Sequence, residues 1–359
     1  MRQWAIILTS VFCAITLSSE ACTGLRLKAK DGSAVHGRTL EFGIIVDTTV
    51  QVVPRGYAFT ATTPLGDGLK YTAKYASVGV SCFGSPDLMD GMNEKGLSIG
   101  TFYFPTYAKY TPTTKDNIQK SLSPIDFPNW ILSQFATLDE VREGIKNVVI
   151  APTIAKAWGP VAAPFHYIVY DKSGRAITIE PINGTLEVKE NPIGTFTNSP
   201  NIDWHLTNLR NFINLTPINV KPLAVDGIEL APFGQGSGMV GLPGDFTPPS
   251  RFVRASIYSI TAIPSDNADQ SVFQLFHILN QFDIPVGAAR SVEDGVTYSD
   301  FTQATVVHDP SNLKYYFRTY DDQTIRLADL KTFDLNAKEI KKMDTKGTQP
   351  YVDISKDLK

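Results

Sequence analysis

Alternating apolar and polar residues predict β-hairpins at three places in the chain. The three stretches are LRLKAKDGSAVHGRTLEF, HYIVYDKSGRAITIEP and TQATVVHDPSNLKYYFRTY, with polar turns at residues 30–33, 173–174 and 309–312. Turn residues between alternating apolar positions are the local signature of a hairpin. Because strands joined by tight turns pair antiparallel, we expect a β-rich fold built on antiparallel sheets.

Apolar residues at helical spacing predict helices between the hairpins. They occur in TLDEVREGIKNV, DWHLTNLRNFINL, SRFVRASIYSITAI and ADQSVFQLFHILNQF. The first of these stretches begins with Thr137 followed by Glu140, which is the pattern of a capping box. His205 and His277 fall inside these helical patterns, and we interpret them as packing or surface residues.

The N-terminal stretch MRQWAIILTSVFCAITLSSEA is typical of a secretory signal peptide. The basic Arg2 precedes an apolar run over about 4–17, and the small residues Ser19 and Ala21 lie at the −3 and −1 positions of a cut. A membrane anchor is the alternative, but the run is shorter than the roughly 20 apolar residues that span a bilayer. We therefore expect an exported protein, periplasmic or secreted, in which 1–21 is removed and 22–359 forms a single domain.

Composition argues against nucleic-acid binding and against a metal site. The formal net charge is −3 and 19% of the residues are charged, which gives no indication of nucleic-acid binding. The five histidines are scattered, and the cysteines at 13, 22 and 82 form no CxxC pair, so no metal site is expected.

Two further segments allow only local expectations. The glycine-rich stretch PFGQGSGMVGLPGD lacks the Gly-Lys-Ser/Thr of a phosphate loop, so it is either a tight surface loop or a loop that closes over a substrate. From about residue 331 the chain is a polar tail, which we expect to be partly loose.

Cys22, which follows the predicted cut, has three interpretations. It could be structural, in a disulfide with Cys82 or as a buried thiol. It could be lipidated, although that signal normally has an aliphatic residue where this chain has Ser19. It could also be an N-terminal nucleophile, because cleavage would place an α-amine with a pKa of about 7.7–8.0 beside a thiol with a pKa of about 8.5. Such a residue carries both nucleophile and base and needs no catalytic histidine.

Four stretches, taken in order, resemble the choloylglycine hydrolases, a family of bile salt hydrolases and penicillin V acylases. They are CTGLRLKAKDGSAVHGRTLEF, DGMNEKGLSIGTFYFP, GTFTNSP and GMVGLPGDFTPPSRFVRAS, and the resemblance extends from Cys22 to about Thr319. It implies the N-terminal nucleophile fold, a four-layer αββα sandwich of two antiparallel sheets in the α+β class. It also implies amide hydrolysis without metal or cofactor and, from relatives that often form tetramers, a homotetramer.

The resemblance also assigns roles to single residues. Cys22 matches the nucleophile, and Arg38 matches an arginine near the thiol, where a fixed cation stabilises the thiolate. Glu41 stands where the family usually has an aspartate that contacts the terminal amine. Its side chain is one methylene longer, so its carboxylate must bend or lie deeper. Arg251 matches a second active-site arginine.

The implied oxyanion hole consists of the Asn198 side-chain amide and the backbone N–H of Tyr103. Penicillin V acylases often carry tyrosine at the latter position, whereas bile salt hydrolases typically carry asparagine. An aromatic ring there should shape the acyl pocket for a flat or slim acyl group. We therefore expect an amidase of the penicillin V acylase type, with a bile salt hydrolase or an acyl-homoserine-lactone acylase as alternatives. A lipid-anchored binding protein attached through Cys22 is the alternative outside the enzymes.

Overall fold

The computed structural model describes residues 21–293 and 295–358. The predicted signal peptide therefore lies outside the described residues, except for Ala21. The strands, in chain order, are β1 (Cys22–Lys28), β2 (Ala34–Phe42), β3 (Thr49–Val53), β4 (Ala58–Thr63), β5 (Gly66–Thr72), β6 (Ser77–Ser81), β7 (Leu88–Asn93), β8 (Ser98–Tyr103), β9 (Ser121–Leu122), β10 (Val149–Ile150), β11 (Phe165–Tyr170), β12 (Ala176–Ile182), β13 (Thr185–Glu190), β14 (Leu223–Val225), β15 (Ile228–Leu230), β16 (Ala289–Glu293), β17 (Val296–Asp309), β18 (Lys314–Thr319), β19 (Arg326–Asp329) and β20 (Lys341–Asp344).

Five α-helices and several short 3₁₀ turns connect the described strands. The α-helices are α1 (Asp126–Gln134), α2 (Leu138–Gly144), α3 (Ile202–Leu209), α4 (Pro248–Thr261) and α5 (Ala268–Leu279). The 3₁₀ turns are Ile118–Lys120, Ile145–Asn147, Lys156–Trp158, Arg210–Phe212, Ser237–Met239, Asn280–Phe282 and Leu330–Thr332.

Two antiparallel sheets form the centre of the protein. The first has the order β1-β2-β17-β18-β19, with β16 also paired to β17, and the second has the order β13-β12-β11-β8-β7-β6-β3-β20. The three hairpins that the sequence predicts are β1–β2, β11–β12 and β17–β18. These predictions are confirmed because the signal for a tight turn is local.

Helices cover the outer face of each sheet. Apolar residues of β1 and β2, such as Leu25 and Val35, pack in one cluster with Leu275 of α5. On the other side, α1 packs on β7 and β8 of the second sheet. Between the sheets, Val78 and Met92 meet Phe317 in a third cluster. The order is helices, sheet, sheet, helices, which confirms the αββα sandwich.

Two elements that the sequence patterns did not predict, α1 and β20, have physical explanations. Helix α1 was not predicted because Pro128 interrupts its pattern; the proline lies in the first turn, where its missing N–H costs no helical hydrogen bond. The polar tail that was expected to be partly loose contributes β20, which pairs with β3 at the edge of the second sheet. Thr345, which follows β20, is buried, and its hydroxyl donates a hydrogen bond to the Thr48 carbonyl oxygen.

The segment between α3 and α4 is built differently from the sandwich. Its hairpin β14–β15 is exposed along its whole length, and Ile213, Phe233 and Val240 are also exposed. The glycine-rich stretch lies here as a surface loop. Within 21–293 and 295–358, no helix has the length and apolarity needed to cross a membrane.

Candidate active site

Cys22 is the first residue of β1, and its position fixes which face its side chain joins. Side chains alternate between the two faces of a strand. Cys22 pairs with Leu40 and Gly24 with Arg38 across β1–β2, so the thiol and the Arg38 side chain lie on the face toward the second sheet. Both side chains are buried, with 5% and 4% of their surface exposed.

A short bridge brings Asn198 to Cys22. Gly24 exchanges two backbone hydrogen bonds with Phe196, at 2.8 and 2.9 Å, so the chain at 195–198 runs along the free edge of β1. The Cys22 nitrogen then donates to Asn198 Oδ1 at 2.8 Å. In this structure Ala21 precedes Cys22, so this nitrogen belongs to a peptide group. The nitrogen that cleavage would convert into an amine is thus already held at the site.

Arg251 reaches the same point from the first turn of α4. Its guanidinium is 1% exposed and donates to Asn198 Oδ1 at 2.7 Å, to Thr23 Oγ1 at 2.8 Å and to the Cys22 carbonyl oxygen. Burial lowers the pKa of Arg251 to about 10, which leaves it charged at neutral pH. Arg251 therefore ties β1, the 195–198 segment and α4 together around Cys22.

Arg38 is held by uncharged groups. Its Nε donates to the Thr39 carbonyl at 3.2 Å, another nitrogen donates to the Thr101 carbonyl, and the guanidinium carbon lies 4.2 Å from the centre of the Phe102 ring. Burial alone would lower the pKa of Arg38, but the neighbouring Cys22, Asp90 and Glu41 raise it. Arg38 is therefore a permanent cation beside the thiol.

Burial outweighs that cation in setting the state of the thiol. Desolvation raises the pKa of Cys22 to about 11, while Arg38, the backbone N–H of Glu41 and Arg251 lower it and the Glu41 carboxyl raises it. The sequence indicated a stabilised thiolate. The structure with Ala21 in place instead holds a neutral thiol. The free-energy cost of burying a thiolate away from water is larger than the stabilisation that the nearby arginines provide.

Glu41 lies on the opposite face of β2 from Arg38. It is 1% exposed, and its Oε1 accepts a hydrogen bond from Thr302 Oγ1 at 2.7 Å. Burial raises the pKa of Glu41 to about 8 against the lowering effect of Arg251. The resemblance implied that this carboxylate contacts the Cys22 nitrogen, but that nitrogen donates to Asn198. The Glu41 carboxyl is instead directed to Thr302 of β17 and is buried.

The main chain and the ring of Tyr103 contact different groups. Its carbonyl oxygen accepts a hydrogen bond from Asn198 Nδ2 at 2.9 Å. Its ring lies edge-on to Phe42 and Phe165, with ring centres 6.4 and 6.3 Å away, and Trp158 packs on the same two phenylalanines. The family resemblance assigned the Asn198 amide to an oxyanion hole, whereas here one of its hydrogens is directed to the Tyr103 carbonyl oxygen.

Cys82, the other described cysteine, is not bonded to Cys22. Both are free thiols, so the disulfide interpretation is wrong. Cys82 follows β6 and packs in the apolar cluster between the second sheet and α1, where burial raises its pKa to about 12. A buried structural thiol is the interpretation that fits Cys82.

Two residues that support the site carry no recognisable signal in the sequence. Thr302 holds Glu41, and His205 binds the Asn198 carbonyl oxygen through Nε2 at 3.0 Å while stacking on Phe252. Burial lowers the pKa of His205 to about 4, so it is neutral. His205 was interpreted as a packing or surface residue and is buried, and His277 is exposed. No three metal-ligating side chains cluster anywhere in the described part of the chain.

Comparison with known proteins gives the family. The profile of the linear amide C–N hydrolases, choloylglycine hydrolase family, matches residues 22–343. A bile salt hydrolase/transferase from Clostridium perfringens is 34% identical over 324 residues, which cover 89% of this chain and 95% of the relative. One from Bifidobacterium longum is 30% identical over 320 residues, with coverage of 89% and 98%.

Solved structures agree with these relatives. Two variants of the conjugated bile acid hydrolase from Clostridium perfringens, with a cysteine replaced by alanine and an arginine by leucine, match with TM-scores of 0.84 at 32% identity. The match covers 93% of this chain and 100% of theirs. Penicillin V acylase from Agrobacterium tumefaciens has the same fold, with a TM-score of 0.73 at 23% identity and coverage of 90% and 91%. The chain therefore belongs to the choloylglycine hydrolase family and is a hydrolase of linear amide C–N bonds.

Proposed function

We propose that the protein cleaves amides through an acyl-enzyme on Cys22 after residues 1–21 are removed. The observation that carries this proposal is the convergence of Cys22, Arg38, Asn198 and Arg251 in one buried cluster at the start of β1. Removal of Ala21 turns the Cys22 nitrogen into an amine at the point where Asn198 Oδ1 and Arg251 lie. The amine takes the proton as sulfur attacks, so a neutral resting thiol is compatible with catalysis.

The charge that develops on the amide oxygen needs donors that are already in place. The Asn198 amide carries two N–H bonds, of which one reaches the Tyr103 carbonyl in the structure. The other is free to serve the oxyanion, and the Tyr103 backbone N–H is the second donor that we propose. A single donor of this kind is worth roughly 3–4 kcal/mol in the transition state. After the amine product leaves, water releases the acid and restores the thiol.

The spacing of two residues agrees with known relatives. In the Clostridium perfringens bile acid hydrolase structures, the cysteine and the arginine that were replaced are separated by the same number of residues as Cys22 and Arg38. This supports Cys22 as the nucleophile and Arg38 as a site residue. This support comes from the spacing alone and does not depend on the hydrogen bonds around Cys22 and Arg38.

Bile-acid amides are the substrate class that we propose first. The relatives from Clostridium perfringens and Bifidobacterium longum, at 34% and 30% identity, are named bile salt hydrolase/transferase, whereas the likeness to penicillin V acylase concerns the fold. The sequence favoured the penicillin V type because of Tyr103 alone. The ring of Tyr103 packs on Phe42 and Phe165 inside the protein, so the preference from one side chain is weaker than the relationship over most of the chain.

Phenoxyacetyl amides such as penicillin V are the second candidate. The aromatic cluster of Phe42, Tyr103, Trp158 and Phe165 favours them if the acyl group displaces part of this packing, because a phenyl group could then stack on these rings. Values of kcat/KM for glycocholate, taurocholate, penicillin V and acyl-homoserine lactones separate the candidates. Preference for the two bile salts supports the first proposal, and preference for penicillin V overturns it.

Export and processing are part of the proposal and have a separate test. We propose that the protein is exported and that the mature chain begins at Cys22 and forms one domain. The intact mass of the protein from its native compartment should correspond to residues 22–359. An added diacylglyceryl group would instead support the lipid-anchored alternative and exclude a free amine.

We also propose that the mature protein is a homotetramer whose subunits meet through the exposed segment 213–240. Large apolar side chains such as Ile218 (70% exposed) and Val240 (78%) lie on this segment beside the exposed hairpin β14–β15. Light scattering on the purified protein should give four times the chain mass. A monomer at micromolar concentration would overturn this proposal without affecting the chemistry.

A further inference from the structure

A chain of polar side chains crosses the space between the two sheets beside Arg38. His36 and His308 are paired residues of β2 and β17, and His308 Nδ1 lies 2.8 Å from His36 Nε2. From the second sheet, Asp90 of β7 places Oδ1 2.6 Å from His308 Nε2, and Ser98 of β8 contacts His36 Nε2. All four residues are at most 2% exposed.

The hydrogen bonds in this chain run toward Asp90. Burial, followed by His308 and Arg26, lowers the pKa of His36 well below its ordinary value, so its ring is neutral with one N–H. His36 Nδ1 has no hydrogen-bond partner among the described residues, so we assign the proton to Nε2, which donates to His308 Nδ1. His308 Nε2–H then donates to Asp90 Oδ1, which also accepts from the Tyr315 hydroxyl at 2.9 Å.

Asp90 and Arg38 approach each other through the gap left by Gly100. A β-carbon at Gly100 would lie 3.4 Å from Asp90 Oδ2 and 3.7 Å from Arg38 Cδ. A cavity of about 10 Å³, lined by Arg38, Asp90, Gly100 and His36 among others, lies between the sheets here. That volume is about what one water molecule requires. The Asp90 carboxyl therefore lies near the Arg38 side chain, on the far side of the space that a side chain at residue 100 would fill.

Asp90 is the countercharge that Arg38 needs. The groups that face Arg38 are the Cys22 thiol, Asp90, Glu41 and the Tyr315 phenol. Burial raises the pKa of the thiol to about 11 and of Glu41 to about 8, and it raises the pKa of Tyr315 well above its usual value. Those three are neutral at pH 7. A buried guanidinium bonded only to carbonyl oxygens requires an anion nearby. The Asp90 carboxyl, which accepts hydrogen bonds from His308 and Tyr315, faces it from the second sheet.

We propose that Asp90, oriented by His308 and Tyr315, is a positioning residue that offsets the charge of Arg38 and so limits how strongly Arg38 activates Cys22. The charged or titratable groups that face the thiol are Arg38 and Glu41 from β2 and Arg251 from α4. Asp90 acts on the thiol through Arg38. Removing its charge leaves the field of Arg38 less compensated, which favours the thiolate.

The test is the rate at which iodoacetamide alkylates Cys22 at pH 8, followed by peptide mass mapping so that Cys22 and Cys82 are counted separately. Asp90→Asn keeps the side-chain shape and removes the charge. We expect the rate at Cys22 to rise about threefold. A thiol pKa lowered by about one unit gives about tenfold more thiolate, and the lower nucleophilicity of that thiolate offsets part of the gain. The readout is the thiol, so it does not depend on the substrate or on the proposed amidase activity.

Two controls separate charge from structure. Tyr315→Phe removes a hydrogen bond to Asp90 but keeps the charge, and Asp126→Asn removes a buried carboxyl on the opposite face of the second sheet. Both should lower the melting temperature without accelerating Cys22. If Asp90→Asn does not fold, Asp90→Ser takes its place. An unchanged or slower rate at Cys22 on loss of the Asp90 charge, or an equal rise in Asp126→Asn, overturns the proposal.

Discussion

The surroundings of Cys22 and those of Cys82 differ although both cysteines are buried free thiols in the same sandwich. Around Cys22 lie two arginines, a carboxyl and the Asn198 amide, all on or near the edge of the first sheet. Cys82 lies in the apolar cluster under α1, where burial dominates its pKa although Arg38 lowers and Asp90 raises it. The difference shows that burial alone does not select a nucleophile. What distinguishes Cys22 is a set of polar partners and a backbone nitrogen that cleavage can convert into a base.

Replacing each thiol in turn is the strongest way to break this comparison. Cys22→Ser should reduce kcat/KM by at least about 10³-fold, because an alcohol is much harder to ionise than a thiol. Cys82→Ser should keep turnover within severalfold of the wild type and change mainly the melting temperature. Equal losses in the two variants would show that the polar surroundings of Cys22 are irrelevant to function.

Retaining Ala21 tests the base while leaving both thiols intact. A variant that resists cleavage before Cys22 should fold with the same hydrogen bonds but lose about 10²–10⁴-fold in kcat, the usual contribution of a general base. The measurement is turnover against the fraction of chains that begin at Cys22, determined by N-terminal sequencing. Full activity with the N-terminus blocked would contradict the role of the amine.

Tyr103 links the two regions, because it contacts the surroundings of Cys22 and also those of Cys82. Its carbonyl meets Asn198 near Cys22, whereas its ring packs in the apolar cluster that contains Cys82. Tyr103→Asn should change the ratio of kcat/KM for glycocholate and penicillin V by severalfold to about tenfold in favour of glycocholate, because a phenyl group loses its stacking partner. An unchanged ratio would mean that the ring does not contact the acyl group.

The smallest expected effect concerns Glu41, the carboxyl that only the Cys22 surroundings contain. Its folded pKa of about 8 lies above the unfolded value of about 4.3, so between these values the folded chain binds a proton that the unfolded chain has released. The contribution of Glu41 to stability therefore falls as pH rises from 4.3 to 8.

Comparing the wild type with Glu41→Gln isolates this effect. The unfolding free energy of the wild type relative to the variant should decrease by about 1–3 kcal/mol from pH 5 to pH 8 in urea titrations. The exposed Glu229 on β15 provides the control, since Glu229→Gln should leave the pH dependence as it is. Parallel curves for wild type and Glu41→Gln would contradict a protonated carboxyl at neutral pH.

The parts of the fold that sequence predicts are those that local signals determine. The turn at 30–33 identified β1–β2, and Thr137 marked the start of α2, where its hydroxyl accepts from the Glu140 backbone N–H. The pairing of β20 with β3 joins segments far apart in the chain, and no local pattern encodes such a contact. Pro128 hid α1 because a proline in a first turn resembles a helix breaker.

The site residues likewise fall into those that a local sequence signal identifies and those that it does not. Cys22 was identified from its place after the apolar run, but Asn198 and Arg251 lie 176 and 229 residues away and came from the family resemblance alone. The resemblance located these residues and left their contacts open. It did not give the bond from the Cys22 nitrogen to Asn198, the Thr302 support of Glu41 or the neutral thiol, because these depend on side-chain packing and burial.

The most direct test of the central claim is the mass of the acyl-enzyme. Purified protein is mixed with glycocholate or penicillin V, quenched in acid during the initial release of the amine product and digested for peptide mass mapping. The acyl mass should appear on the peptide that begins with Cys22, while the peptide that contains Cys82 stays unmodified. An acyl group on Cys82 or on any residue other than Cys22 would contradict the account.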